Sequence, residues 1–276
     1  MVIQEITSAQ NPKIKEVVTL IEKSKERRNR SLFVVEGVRE IEACIKNGYS
    51  VQSVFFNPQI FSENRAESMF NTMNCNTAVP AIFSVSGAAY SKIAYRENTE
   101  GIVAIVESKR LTLKEVKLNR KWKNPLILVV ESVEKPGNLG ALLRTADACG
   151  ADAVLVCDPL TDIYNPNLIR ASLGGVFTVQ VVACTNEEAL EWLRSNRINI
   201  FTAQLQDSEW YYNTDMLSPT AIVMGTESTG LTDFWRKAAT SKIKIPMIGE
   251  LDSLNVSVSA AILCYEAVRQ RSNKRI

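Results

Sequence analysis

Apolar positions along the chain follow two patterns, and the two alternate. Ile14, Val17, Val18 and Ile21 recur three or four residues apart, which predicts a helix over residues 12–28. SLFVVEG reads as a short strand ending at Gly37, and VREIEACIKNG as a helix stopped by Gly48. VQSVFFN and AIFSV are strand candidates, GIVAIVE is a clearer one, and the Asn-rich NTMNCNTAVP is expected to be a loop. From Pro125 the pattern sharpens. PLILVVES is a continuous apolar run, the kind found in strands buried on both faces. VEKPGNLG is a loop, ALLRTADACG a helix stopped by Gly150, and ADAVLVCD the next strand. INIFTAQ and AIVMG are further strands; TESTG is a loop, and LTDFWRKAA a helix with Thr232 as its expected N-cap. SKIKIPMIG reads as a strand, GELDSLN as a loop and VSVSAAILCYEAVRQR as a long terminal helix. Strands alternating with helices predict an α/β fold with a parallel or mixed sheet. Ligands of such sheets bind beyond the carboxyl ends of the strands, so the loops after 126–131, 222–224 and 243–247 are expected to share one face.

At 276 residues, the length suits two domains of roughly 100–200 residues each. With 46% hydrophobic and 22% charged residues, the chain has the composition of a folded protein. No run of about 18 apolar residues predicts a membrane span. The start, MVIQEITSAQNPKIK, lacks the apolar core of a signal peptide, so a cytoplasmic location is expected. Cysteines at 44, 75, 149, 157, 184 and 264 form no C-x-x-C pair and read as reduced, mostly buried thiols. The count that excludes most is histidine, which is zero. It removes Ser-His-Asp and Cys-His mechanisms and His-based zinc sites, and the cysteine spacing supplies no all-Cys site, so no metal is expected.

Charge is unevenly spread. Residues 108–124 hold seven basic residues, among them Lys117, Arg120, Lys121 and Lys123, against the single acid Glu115. A second cluster, including Arg27 and Arg28, lies near the N-terminus, whereas 125–239 holds seven basic residues and fourteen acids. The basic segments are a candidate RNA-phosphate footprint; solvated helix faces and a soluble linker are the other reading.

Three loops carry unusual chemistry. Pro136-Gly137-Asn138-Leu139-Gly140 opens the helix bearing Arg144. Its glycines are spaced wrongly for a dinucleotide loop, and no Lys-Ser/Thr follows for a P-loop. Asn138 can orient a polar group or simply cap the helix, and Arg144 can bind a phosphate bidentately or pair with an acid. In Gly225-Thr226-Glu227-Ser228-Thr229-Gly230, Glu227 either faces the ligand crevice or belongs to a plain turn. The third loop runs from Ile245-Pro246-Met247 to Ser253-Leu254-Asn255-Val256-Ser257, where Ser253 or Asn255 can cap the last helix and still bind a ligand.

In order and spacing, EKPGNLGALLRTADACGA, IVMGTESTGL and IPMIGELDSLNVSVSAAILCYEAVRQ resemble the SpoU/TrmH family of RNA 2′-O-ribose methyltransferases. NPKIKEVVTLIEKSKERRNRSLFVVEGVREIEACIKNG resembles that family's accessory substrate-binding domain, so the likeness spans nearly the whole chain. It implies an α/β fold with three parts. Residues 1–107 would be an RNA-substrate-binding domain with an N-terminal helical arm, 108–124 a basic linker, and 125–276 a trefoil-knotted methyltransferase domain. It also implies S-adenosylmethionine as cofactor and a homodimer with active sites near the subunit interface. The apolar terminal helix is a candidate for that interface.

Carried over to this sequence, the cofactor contacts fall on Gly225, Ile245 and Leu254, with Met247 close by. The catalytic group falls on Arg144, surrounded by Asn138, Glu227, Ser253 and Asn255. The reaction implied is in-line attack of a ribose 2′-oxygen on the sulfonium methyl, which places the reacting atoms about 3 Å apart. A guanidinium is a poor base, so Arg144 is read as the group that fixes phosphate and stabilises charge on the oxygen. Two residues depart from the family pattern: Lys135 and Asp252 stand where many relatives have an acid and Glu, respectively. Ribosomal RNA is the expected substrate. Transfer RNA, or a non-catalytic role in RNA binding or ribosome assembly, are the alternatives.

Overall fold

The computed structural model describes residues 3–72, 80–95, 99–226 and 228–272. They form two compact units. The first joins the residues up to Lys109 to a later segment, Asp162–Phe177; the second joins Arg110–Thr161 to the residues from Thr178 onward.

In chain order the first unit contains β1 (Ile3–Ile6), α1 (Pro12–Glu22), α2 (Ser24–Arg30), β2 (Leu32–Glu36), α3 (Val38–Lys46), β3 (Val51–Phe56), α4 (Glu63–Thr72), β4 (Ala81–Val85), α5 (Gly87–Tyr90) and β5 (Ile102–Glu107). The sheet order is β1-β4-β3-β5-β2, with β1, β4 and β3 parallel and β5 antiparallel to both its neighbours. The loop expected at NTMNCNTAVP lies largely outside the described residues.

The single helix expected over 12–28 is in fact two, separated by an extended Lys23 (φ −111°, ψ 103°). Arg27 supplies the reason. Its guanidinium donates to the carbonyls of Leu20 and Ile21 at 2.7 and 2.9 Å, which satisfies the open end of α1. The same group pairs with Asp162 at 2.7 Å and is 4% exposed. Arg27 was expected on an RNA surface; its burial makes it a structural cap instead. Arg28 is exposed. Tyr164 also belongs to the later segment. Its ring stacks on Phe33 with centroids 4.3 Å apart, and its hydroxyl donates to the Lys109 carbonyl at 2.7 Å.

The chain continues through β6 (Leu126–Glu131), α6 (Pro136–Cys149) and β7 (Ala153–Cys157), then α7 (Pro166–Ser172) and α8 (Gly175–Thr178), then β8 (Gln180–Cys184), α9 (Asn186–Ser195), β9 (Asn199–Ala203), β10 (Glu209–Trp210), β11 (Thr220–Met224), α10 (Asp233–Ala238), β12 (Ser241–Lys244) and α11 (Val256–Ser272). The second unit's seven strands are all parallel, in the order β10-β12-β9-β11-β6-β7-β8. β6, β7 and β11 are buried throughout, as continuous apolar runs require. β7 and β8 extend the sheet on one side of β6, while β11 is inserted between β6 and β9. The order therefore reverses at β6, and a switch point of this kind opens a crevice at the strand ends.

The segment expected to be a linker is docked on the second unit. Leu111, Leu113, Val116 and Leu118 pack against its core. The Lys117 N–H donates to Gln180 Oε1 at 2.9 Å and the Arg120 N–H to Asp152 Oδ1 at 2.7 Å. Gln180 begins β8 and Asp152 precedes β7, so this strap follows the amino ends of the strands. Lys117, Arg120, Lys121 and Lys123 remain exposed on it.

Arg271 closes the unit from the other end of the chain. It is 7% exposed and donates to the carbonyls of Asn124 (2.9 Å), Pro125 (3.2 Å), Met216 (3.1 Å) and Ser218 (3.1 Å). Burial lowers its pKa from the usual arginine value. Arg271→Met is expected to lower stability by about 2–4 kcal/mol in urea unfolding, because buried carbonyls lose their donors. Lys13→Met removes only an exposed pair with Glu16 on α1 and should leave the midpoint nearly unchanged. Equal midpoints for the two variants would refute the structural role of Arg271.

Candidate active site

Four loops at the carboxyl ends of β6, β9, β11 and β12 surround a cavity of about 540 Å³. Three of them were expected. The fourth, which brings Gln204, Leu205 and Gln206 to the wall, was not, although it follows a strand of the same sheet.

Gly225, Ile245, Met247, Leu254, Asn138, Ser253 and Asn255 all line the cavity. So do Lys135 and Asp252, the two departures from the family pattern. Arg144 does not line it. The residue is exposed on α6 and makes no hydrogen bond or ion pair with a described residue. Glu227 lies outside the described residues.

The loop after β11 is shaped by backbone contact. Thr226 and Gly230 exchange two backbone hydrogen bonds of 3.1 Å, and Gly230 takes a φ of +67°. A Cβ at Gly225 would collide with the Gly230 carbonyl and the Leu231 nitrogen, so no other residue fits there. The far end of this loop is fixed by Glu131, at the end of β6 and 1% exposed. Its carboxylate accepts from the Thr232 N–H (2.9 Å), the Thr232 hydroxyl (2.7 Å) and the Asn186 amide (3.0 Å). Thr232 thus occupies the N-cap position of α10, but its hydroxyl serves Glu131 and makes no cap bond.

The loop after β12 ends in a cap. Asn255 Oδ1 accepts from the Ser257 N–H at 2.9 Å, and its Nδ2 donates to Asn138 Oδ1 at 3.2 Å. Asn255 thus caps α11 and bridges two loops at once. Asn138 is no cap: α6 begins at Pro136, so Asn138 sits inside the first turn with its side chain turned to Asn255. Ser253 donates to Asp252 Oδ1 at 3.1 Å and is exposed.

The cavity suits a nucleoside cofactor. Met224, Leu231, Ile243, Val256 and Leu263 give it a buried apolar floor, and Asn138, Asp252, Ser253 and Asn255 a polar rim. Arg236 lines it too, with its Nε buried and without a hydrogen-bond partner among the described residues. No group of three or more acids or cysteines among the described residues could hold a metal ion, and no described helix is long and apolar enough to cross a membrane.

A parallel sheet with this switch point, preceded by a separate substrate-binding unit, is the fold of an S-adenosylmethionine-dependent RNA 2′-O-methyltransferase. The chain belongs to the SpoU rRNA Methylase family, which matches residues 125–265. Residues 11–104 match the MRM3-like substrate binding domain. The chain is 29% identical to the 23S rRNA (guanosine(2553)-2′-O)-methyltransferase RlmP of Bacillus subtilis, over 95% of this chain and 98% of the relative. A crystal structure of an RNA 2′-O ribose methyltransferase is 37% identical and superimposes with a TM-score of 0.82, covering 98% of this chain and 100% of that one. The AdoMet-bound rRNA methyltransferase of Sinorhizobium meliloti is 27% identical with a TM-score of 0.85, covering 97% and 98% of the two chains.

Gly225→Ala is expected to weaken S-adenosylmethionine binding at least about tenfold in isothermal titration, because the loop must shift by more than a side chain can absorb. Gly249→Ala, where an added Cβ meets nothing within 4 Å, should bind as the wild type does. Unaltered affinity in Gly225→Ala would show that this loop does not touch the cofactor.

Proposed function

We propose that this protein methylates a ribose 2′-hydroxyl of ribosomal RNA in the cytoplasm, as a homodimer. The observation that carries the reading is the bridge from Asn138 to Asn255, which brings the polar residues of the first and third loops to one cavity mouth. When bound there, the cofactor supplies an electrophilic methyl group. The cavity walls hold it; the polar rim meets the ribose. Positioning of this kind supplies much of the rate of a methyl transfer.

In this reading Arg144 binds a phosphate at the rim and stabilises charge on the attacking oxygen. It does not line its own chain's cavity, and a dimer gives it a second surface to act on. The outer face of α11 supports the dimer: Val258 and Tyr265 are 47% and 48% exposed, beside half-buried Ala261, Ile262 and Val268. The first unit is proposed to present the RNA, and the loops over 225–230 and 245–255 to be threaded as the family's knot. Arg28 on the first unit and the strap residues Lys117, Arg120, Lys121 and Lys123 on the second are proposed as phosphate contacts; the strap lies at the amino ends of its unit's strands, away from the cavity.

The direct test is methyl transfer to ribosomal RNA from a strain lacking the protein, with the 2′-O-methyl position mapped afterwards. Methylation of transfer RNA alone, or of no RNA, would overturn the proposal. Arg144→Ala is expected to reduce single-turnover transfer by about 10²–10⁴-fold and leave cofactor affinity nearly unchanged. Arg144→Lys separates charge from geometry: near-Ala activity means the bidentate fork is needed, and substantial recovery means charge suffices. Wild-type rates in Arg144→Ala would place the reaction centre elsewhere.

Reversing the charges of Lys117, Arg120, Lys121 and Lys123 should weaken RNA binding and flatten its salt dependence by roughly 0.7–0.9 in log–log slope per lost contact. Cofactor affinity should not change. An unchanged slope would leave the strap a purely structural element.

A further inference from the structure

Beyond β9, the chain passes along the edge of the parallel sheet as Trp210, Tyr211 and Tyr212. Trp210 is 39% exposed and Tyr212 49%. Their rings are nearly parallel, with an interplanar angle of 19° and centroids 6.4 Å apart, and Tyr211 braces Tyr212 edge-on at 5.3 Å. Trp210 is in register with Lys244 of β12, whose ammonium lies 4.9 Å from the indole centroid. Clustered aromatic surface left in water marks a site of interaction more often than an accident of packing.

We propose that Trp210 and Tyr212, flanked by Lys244, form a stacking platform for an unpaired nucleobase of the RNA substrate, a reading that rests on the RNA methyltransferase assignment. Position supports it first. β10 and β12 are parallel, and Trp210 and Lys244 end them, so the platform stands on the same rim as the cavity. Lys244 also lines the cavity, as do Leu205 and Gln206 just before β10. A base held on the platform therefore belongs to a nucleotide near the one whose ribose enters the cavity.

Charge supports it next. The neighbouring acids are engaged: Asp207 lies 4.0 Å from Lys242, and Glu209 accepts from the Ser241 hydroxyl at 3.3 Å. Lys244 makes no ion pair with any described residue, so it can add a phosphate contact to its cation–π contact with the indole. The chemistry of the substrate completes the argument. Placing a ribose in the cavity draws a nucleotide out of its stack and leaves a neighbouring base without one of its partners. Exposed aromatic rings beside a cation are the usual replacement in proteins that bind single-stranded RNA.

The test uses the full chain and a short single-stranded RNA carrying one 2-aminopurine. The wild type is expected to quench the fluorophore on binding. Trp210→Ala should abolish the quenching and raise the dissociation constant roughly 5- to 100-fold, and Trp210→Phe should restore most of the affinity. S-adenosylmethionine affinity and sedimentation should match the wild type in both. Unchanged probe affinity, or loss of the dimer in place of loss of RNA binding, would overturn the platform. A crosslink between wild-type protein and a 4-thiouridine form of the probe needs no variant. Adducts at Trp210 or Tyr212 support the platform, and adducts only elsewhere overturn it. Methyl transfer to ribosomal RNA in the same preparations separates the two readings: an active enzyme with unaltered Trp210→Ala binding loses only the platform.

Discussion

Glu131 stands where two independent loops meet. The switch point requires the loop leaving β6 and the loop leaving β11 to hold a fixed separation, yet they lie about ninety residues apart in sequence. A buried carboxylate with no ion-pair partner among the described residues is held by hydrogen-bond donors, and here every donor is itself anchored. Thr232 starts α10. Asn186 starts α9 and also accepts from the indole of Trp235 at 2.6 Å, and Trp235 is fully buried in the core. The network fixes the starts of two helices to the end of a central strand. Gly225 can then approach Gly230 closely because the far side of its loop does not move.

The same logic explains why so little of the cavity wall depends on charged side chains. Its shape comes from a glycine turn, from the Asn255 cap and from strand ends. Charged side chains stand around that shape: Lys135, Arg236, Lys244 and Asp252 along the cavity, Arg144 on the outer surface of α6, and the strap at the opposite end of the strands. In the proposed function, cofactor binding and RNA binding thus rest on different kinds of structure, one on backbone shape and the other on exposed cations.

Much of this could be read from the sequence where the pattern was local. β6, β7 and β11 are nearly continuous apolar runs, and the carboxyl-end rule then placed three of the four loops together. Residue identities at the site came from the three motifs. Features that depend on distant partners could not be read this way. Lys23 breaks a helix expected to run on to residue 28, because Arg27 finds Asp162 far along the chain. The strap looked like a linker because its charges hid Leu111, Leu113, Val116 and Leu118. The motifs named Arg144 but could not give its direction, which depends on how α6 is set against the sheet. Asn138 looked like a cap because the sequence does not show that α6 begins two residues earlier, at Pro136.

The segment Asp162–Phe177 makes neither unit continuous in sequence, and this sets an order of events during synthesis. Until Phe177 has emerged, Phe33 lacks the ring of Tyr164 and Arg27 lacks the carboxylate of Asp162. By then the strap, β6, α6 and β7 are already made. The first unit is completed only after the second has begun, so the ribosome delivers the two folding problems interleaved, and a chain stalled before Asp162 carries an unfinished substrate-binding unit.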